Sequence, residues 1–318
     1  MAVRDERSTR RLGFAAVWVA AFAWGLAYIL VKWSTLDGLQ FAMLRLWAGV
    51  VVSCVAMLIA GRHLSVAILR ACAIGGIILG VDIGLGFTAI NHTTVANVAV
   101  IGALAPVVIM IVSAWRLHER VTRRDWVLIA VSFAGVIVVV IASSGLPTWS
   151  PFGDLLASIA VFTWSAYWFF SRDVRERVDP ITYLTCVMLT AAIVTTPVAI
   201  ATGGMPAWPS GRDWVAIWSA ALVPGFLGHS LVIWSHRHLE SWRSALITQC
   251  VPVIAVVLAW IVLDEPITPL VGVGGSVVVA ATAAVLVSAA RRDTRPSLTQ
   301  RDDAARPSRP QHVAARRK

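Results

Sequence analysis

The stretch Ala103–Glu119 reads ALAPVVIMIVSAWRLHE, and its reading decides the fold. It is an apolar run of helix length with one proline inside it, closed by Trp-Arg-Leu-His-Glu and then a basic cluster. The pattern returns at Thr248–Glu265, TQCVPVIAVVLAWIVLDE. Pro106 and Pro252 each stand 13 residues before Glu119 and Glu265, and Val107, Leu117 and Val121 are answered by Val253, Leu263 and Ile267. One further long apolar segment follows each copy. A feature that closes both halves of a chain in the same way marks an internal duplication.

Composition sets the class. The chain is 58% hydrophobic and 14% charged, with a mean hydropathy of +0.76. A soluble domain of 318 residues needs more charge than that to cover its surface. The chain therefore reads as a membrane protein, not as a soluble enzyme or a nucleic-acid binder. Cys54, Cys72, Cys186 and Cys250 fall inside apolar runs without metal-type spacing, so they read as small packing residues. Neither a metal nor a cofactor is called for.

A membrane-crossing helix needs about 20 apolar residues. That ruler finds ten candidate spans, at 13–32, 41–60, 68–90, 95–115, 125–143, 153–171, 181–201, 214–235, 244–263 and 269–289. Lys and Arg accumulate in short cytoplasmic loops. With both termini inside, only Lys32, Arg45 and Arg212 of the 27 Lys and Arg fall outside the cytoplasmic segments. The net charge of +10 is thus a topology signal plus a basic tail. Five spans per half is an odd number, so the second half runs inverted relative to the first, an architecture that transporters use. The divisions are a cytoplasmic N-tail at 1–12, a first repeat at 13–143, an external linker at 144–152, a second repeat at 153–289 and a basic, disordered cytoplasmic tail at 290–318. The tail is rich in Arg, Pro, Asp and Ser and is suited to anionic lipid headgroups.

The repeated motif, with Trp24-Gly25 and the segment Phe41–Gly49 (FAMLRLWAG), resembles the EamA-type ten-span members of the drug/metabolite transporter superfamily. The resemblance covers about residues 13–289. It implies an all-α membrane protein of ten helices in two inverted five-helix repeats, and the movement of small polar metabolites, often amino acids, across a bacterial membrane. Pro106, Glu119 and Gly135 match the family pattern in the first half, Pro252 and Glu265 in the second. Ala281 stands where Gly135 would be echoed, a mild departure. The family's span-2 arginine resembles Arg45, whose counterpart is Thr185.

Polar groups deep in a span are costly and mark function by default. Arg45 lies about 8 Å, and Asp82 about 13 Å, from the outer ends of their spans at 1.5 Å per residue. An Arg45–Asp82 ion pair could bridge spans 2 and 3, either as a fixed tie or as a coupling and gating element. His229, near the repeat counterpart of Asp82, could carry a proton, although a direct bond between the two is not expected. Trp24 and Tyr28 share one helix face, as do Trp164 and Trp168. Two such pairs facing each other at mid-depth would box a planar or cationic solute, against ordinary packing as the alternative. Pro106 and Pro252 break the helical bonding of their spans and free the carbonyls of Gly102 and Thr248, while Asn97 and Gln249 could bind a polar solute. On span 3, Gly76, Gly80 and Gly84 form a small-residue face for close helix contact. The Gly272, Gly274 and Gly275 cluster could pack within the chain or across a homodimer.

The expected function is secondary transport of a small polar or amphipathic metabolite, an amino acid or related compound, with export and proton coupling as the favoured form. A phosphate-binding GxxxxGK[ST] loop and an HExxH motif are both missing from the sequence, which argues against ATP hydrolysis and against intramembrane proteolysis. The alternative is a non-transporting membrane scaffold or sensor that works through its basic tail. With 25 Arg to 2 Lys and abundant Ala and Val, the setting reads as the plasma membrane of a bacterium with a GC-rich genome.

Overall fold

The computed structural model describes residues 2–93, 95–119, 121–144, 150–175, 177–204, 208–264 and 267–293. The described residues are helical, with no strand among them. The first half contains α1 (Ala2–Trp33), α2 (Gly38–Ile59), α3 (Val66–His92), α4 (Val95–Gly102), α5 (Ala105–Arg116) and α6 (Arg123–Ser144). The second contains α7 (Pro151–Arg175), α8 (Pro180–Gly203), α9 (Gly211–Ala220), α10 (His229–Ser235), α11 (Ser241–Thr248), α12 (Val251–Leu263) and α13 (Pro269–Asp293), with a π-helical segment, Ala221–Gly228, joining α9 to α10. Eight helical stretches among the described residues are long and apolar enough to cross a membrane.

The two expected spans outside that eight differ for physical reasons. The stretch expected as one span at 95–115 is two helices, because the chain breaks at Ala103-Leu104 just before Pro106. Proline has no N–H to give and its ring crowds the preceding turn, but it fits the first turn of a new helix. The same logic splits the other copy of the motif at Gln249-Cys250, just before Pro252. Helix α7 keeps full span length but carries Asp154, Thr163, Ser165 and Ser171, which lower its apolarity.

Local capping sets the helix starts. Asp37 accepts from the Leu39 amide, Ser65 from Ile68 and Asp179 from Thr182, satisfying amides that have no partner within the helix. Ser210 and Asp213 form a reciprocal capping box on α9. Asp213 also accepts from the Ser34 hydroxyl and the Thr35 amide, each at 2.8 Å, tying the α1–α2 loop to α9. Glu119 accepts from the Ser241 amide at 3.3 Å, tying the end of the first copy of the motif to the start of α11.

Helix α3 packs between α7 and α8, α2 lies against α8, α6 against α13, and α1 against α12 and the α9–α10 unit. The small-residue face of α3 meets α8 at very close range. A Cβ on Gly76 would sit 1.6 Å from the Thr190 hydroxyl oxygen, and one on Gly80 2.8 Å from Val194. Gly274 packs inside the chain against the Gly135 carbonyl and Gly275 against Val253, whereas Gly272 faces open space. The outer face of the bundle is apolar, with Val51, Val55, Leu58, Val127 and Phe162 exposed, as lipid contact requires. Replacing Gly76 with Val should lower the thermal unfolding midpoint in detergent through overpacking of about 1–3 kcal/mol. Gly272→Val, the matched control, should leave that midpoint unchanged.

Candidate functional site

The site grows from the middle of α1. The lipid-facing side chains of this helix, Leu12, Val19 and Phe22, form one exposed stripe. At 3.6 residues per turn, Trp24 and Tyr28 fall on the opposite side. Tyr28 nevertheless keeps 60% of its surface accessible. That accessible surface is on the face of α1 turned away from the stripe.

One turn before Tyr28, at Trp24, the aromatic side chains of three helices, α1, α7 and α10, converge. The Trp24 and Trp164 rings are 5.8 Å apart in an edge-to-face arrangement, the geometry that aromatic quadrupoles favour. His229 stands 5.3 Å from Trp24, 6.5 Å from Trp164 and 6.2 Å from Tyr167. Its Nδ1 is in long contact, 3.5 Å, with the Tyr167 hydroxyl. The π-helical segment positions this histidine. Pro224 prevents regular α-helical bonding within it, and the widened turns end directly at His229. The Trp24 indole N–H donates to the Pro224 carbonyl at 3.1 Å, pinning α1 to the deformed turn. Gly228 makes room for the indole, since a Cβ there would come 2.9 Å from Trp24 Nε1.

Two charged side chains border this cluster. Arg45 points away from the exposed Trp47–Val51–Val55–Leu58 stripe of α2, since two residues turn a helix by about 200°. The helix that carries it packs against the π-helical segment that ends at His229. Among the described residues Arg45 has no hydrogen-bond or ion-pair partner. Asp82 accepts from the Thr163 hydroxyl at 3.0 Å and lies by the Trp164 backbone amide. The Arg45–Asp82 ion pair expected from the sequence does not form. Helical depth allowed it, but Asp82 turns toward α7, where it bonds Thr163. Among the described residues, His229 and Asp82 make no direct bond.

The expected box is also rearranged. Trp164 contacts both Trp24 and Trp168, but Trp168 is buried and turned onto His236 at 4.6 Å. It therefore belongs to the packing behind the site. Tyr28, one turn beyond Trp24 on α1, is in no ring contact among the described residues. Tyr167 and Thr163, which the sequence reading passed over, take the places next to His229 and Asp82. The signal for Tyr167 was its position three residues after Trp164, on the same helix face.

A second junction lies where the two broken spans meet. The buried Gln249 donates from its side-chain nitrogen to the Ala103 carbonyl at 3.4 Å, one helix break bonding to the other. Its own Oε1 is buried without a partner among the described residues. Pro106 and Pro252 take the second positions of α5 and α12. Asn97 lies on α4, and its side chain is outside the described residues, as is Glu265.

The comparisons agree with this architecture. The EamA-like transporter family model matches the chain twice, over residues 11–141 and 151–287. An uncharacterized transporter of Archaeoglobus fulgidus is 24% identical over 261 residues, covering 77% of this chain and 88% of that protein. One solved crystal structure superposes with a TM-score of 0.76 at 21% identity, over 91% of this chain and 99% of that one, a likeness of fold.

Removing the indole donor with Trp24→Phe should leave the Pro224 carbonyl unpaired in apolar surroundings, at a cost of about 1–3 kcal/mol. Thermal unfolding in detergent would show it as a lowered midpoint. The exposed Trp208 is the control, because Trp208→Phe should change stability by less than about 0.5 kcal/mol.

Proposed function

The chain belongs to the EamA-like transporter family, and on that premise we propose that it is a secondary transporter of small polar or amphipathic metabolites, amino acids among them. The single observation that carries the reading is the contact between counterpart residues. Trp24 and Trp164 occupy matching places in the two matched regions, and they touch each other. Ala103 and Gln249 also occupy matching places, and they too touch. A residue can meet its own counterpart only near the axis relating the two copies. In a chain of ten spans built as two inverted five-span repeats, that axis lies in the membrane plane, and solute sites sit at mid-depth on the repeat interface. On this reading the cluster of Trp24, Trp164, Tyr167 and His229, with Tyr28 one turn away, is the candidate for such a site.

On this reading the two repeats rock against each other, opening the cavity to one side and then to the other. The aromatic faces hold the apolar or cationic part of the solute. Gln249 and Asn97 serve its polar groups, and Trp168 supports Trp164 from behind. Asp82 is a carboxyl group within a span with no cationic partner among the described residues, bonded to a neutral hydroxyl. Such a group is suited to take up and release a proton as the site changes sides, and His229 at the other edge of the cluster is the second candidate. The working direction is export from a bacterial cytoplasm through the plasma membrane, with both termini inside, as the distribution of Lys and Arg favours.

The test is solute counterflow in proteoliposomes, with and without an imposed pH gradient, using a panel of amino acids. The wild-type protein should show counterflow that a pH gradient accelerates. Asp82→Asn should keep the counterflow and lose the acceleration, and His229→Gln should do so only if the histidine is the carrier. Properly inserted protein that moves none of the panel would contradict the substrate class. Acceleration that survives in both variants would remove these two residues from proton coupling.

A further inference from the structure

We propose that the contact between the first turn of α7 and the junction of α3 with α4 is a breakable clasp that closes one mouth of the transport path. The proposal rests on the transport reading above and names the residues that hold one side shut. The Thr93 hydroxyl donates to Asp154 Oδ1 at 2.8 Å, and the Ser150 amide donates to Asp154 Oδ2 at 3.1 Å. The Ser150 hydroxyl donates to the His92 carbonyl. The rings of His92 and Phe152 meet edge to face at 5.1 Å. Gly153 is buried among these groups, and a Cβ there would come 2.6 Å from Thr93 Cβ and 2.8 Å from the His92 carbonyl carbon. Thr93 belongs to the first matched region and Asp154 to the second, so the contact joins the two repeats.

The contact has a counterpart in the other half. Gly13 stands 140 residues before Gly153, the spacing that also relates Trp24 to Trp164. His92 stands 146 residues before His238, the spacing that relates Pro106 to Pro252. Gly13 packs against His238 and Leu239, where a Cβ would come 3.5 Å from His238 Cβ and 3.1 Å from Leu239 Cγ. Each repeat thus begins its first helix against the end of the other repeat's third span. In inverted repeats two such contacts stand at opposite mouths. Their chemistry differs. Leu239 sits in an apolar cluster with Val17 and Ala21, whereas the clasp is polar, with His92 and Phe152 exposed and Thr93, Ser150 and Asp154 half-buried. Hydrogen bonds at an accessible surface exchange for bonds to water at small net cost, so the clasp can open and close. None of its bonds belongs to a helical ladder, so opening it leaves α3 and α7 intact. Farther along the same antiparallel pair of helices Thr163 donates to Asp82. Parting the two ends turns that carboxyl toward the opened mouth.

The experiment needs no knowledge of the solute. The full chain, with its four native cysteines replaced and Tyr28→Cys as reporter, is placed in sealed vesicles of each orientation. The rate of labelling by a membrane-impermeant maleimide is then read from each side. Thr93→Val removes the bond to Asp154 and keeps the shape of the side chain, while Gly153→Ala wedges the two surfaces apart. Each should raise labelling from the clasp side by about fivefold, the population shift that one lost hydrogen bond supplies, without raising it from the other side. Thr202→Val is the control, since its hydroxyl donates within α8, and it should change neither rate. Thr93→Val preserves side-chain volume, so it decides the matter where Gly153→Ala fails to fold. Labelling from the clasp side that stays unchanged or falls overturns the clasp, and leaves the transport reading standing if the parent protein labels from both sides. Labelling of the parent from one side alone overturns both.

Discussion

Inside a bilayer every backbone carbonyl must find its partner within the protein, because no water is there to supply one. This chain breaks two of its spans, before Pro106 and before Pro252, and thereby creates that need twice in the middle of the bundle. It meets part of the need by turning the breaks toward each other, so that Gln249 bonds the Ala103 carbonyl. The rest of the architecture is arranged around this meeting. Helix α1 lies along α12, and the α6–α13 pair closes behind the breaks through the mutual approach of Gly135 and Gly274.

The third deformation, the π-helical segment at Pro224, has no equivalent in the first half, where α3 runs unbroken from Val66 to His92. Its carbonyl is met from outside the helix by the Trp24 indole. One hydrogen bond therefore does two things. It settles a backbone group that proline disturbs, and it holds an aromatic ring edge-on to Trp164 beside His229. The backbone requirement of the membrane and the arrangement of the aromatic cluster thus meet in the same contact. The chain's two within-span charges near this place, Arg45 and Asp82, are kept apart, each facing a different side of the cluster.

What could be read from the sequence follows from which physical quantity each feature depends on. The helix breaks lie just before Pro106 and Pro252, the two prolines that the repeated motif singles out, whereas Pro197 sits inside the unbroken α8. The close approach of α3 to α8 depends on the absence of side chains at Gly76 and Gly80, which is equally visible in the sequence. The meeting of Trp24 with Trp164 followed from matching positions in two copies. The pairing of Arg45 with Asp82 failed because depth along a helix can be counted, whereas the direction a side chain faces depends on how neighbouring helices are rotated. Trp168 failed for the same reason, turning onto His236 while Tyr167 took the inner place. The π-helical turn was not legible, since Pro224 could as well have kinked the helix or ended it.

The central claim is that one interior cavity opens to each side of the membrane in turn. The most direct measurement places a single cysteine at position 28, by Tyr28→Cys in a chain whose four native cysteines are replaced, and follows its labelling by a membrane-impermeant thiol reagent. The account predicts labelling from either side, in right-side-out and in inverted vesicles, with transported solute slowing both reactions. Labelling from one side alone, unchanged by any solute that the protein carries, would contradict it.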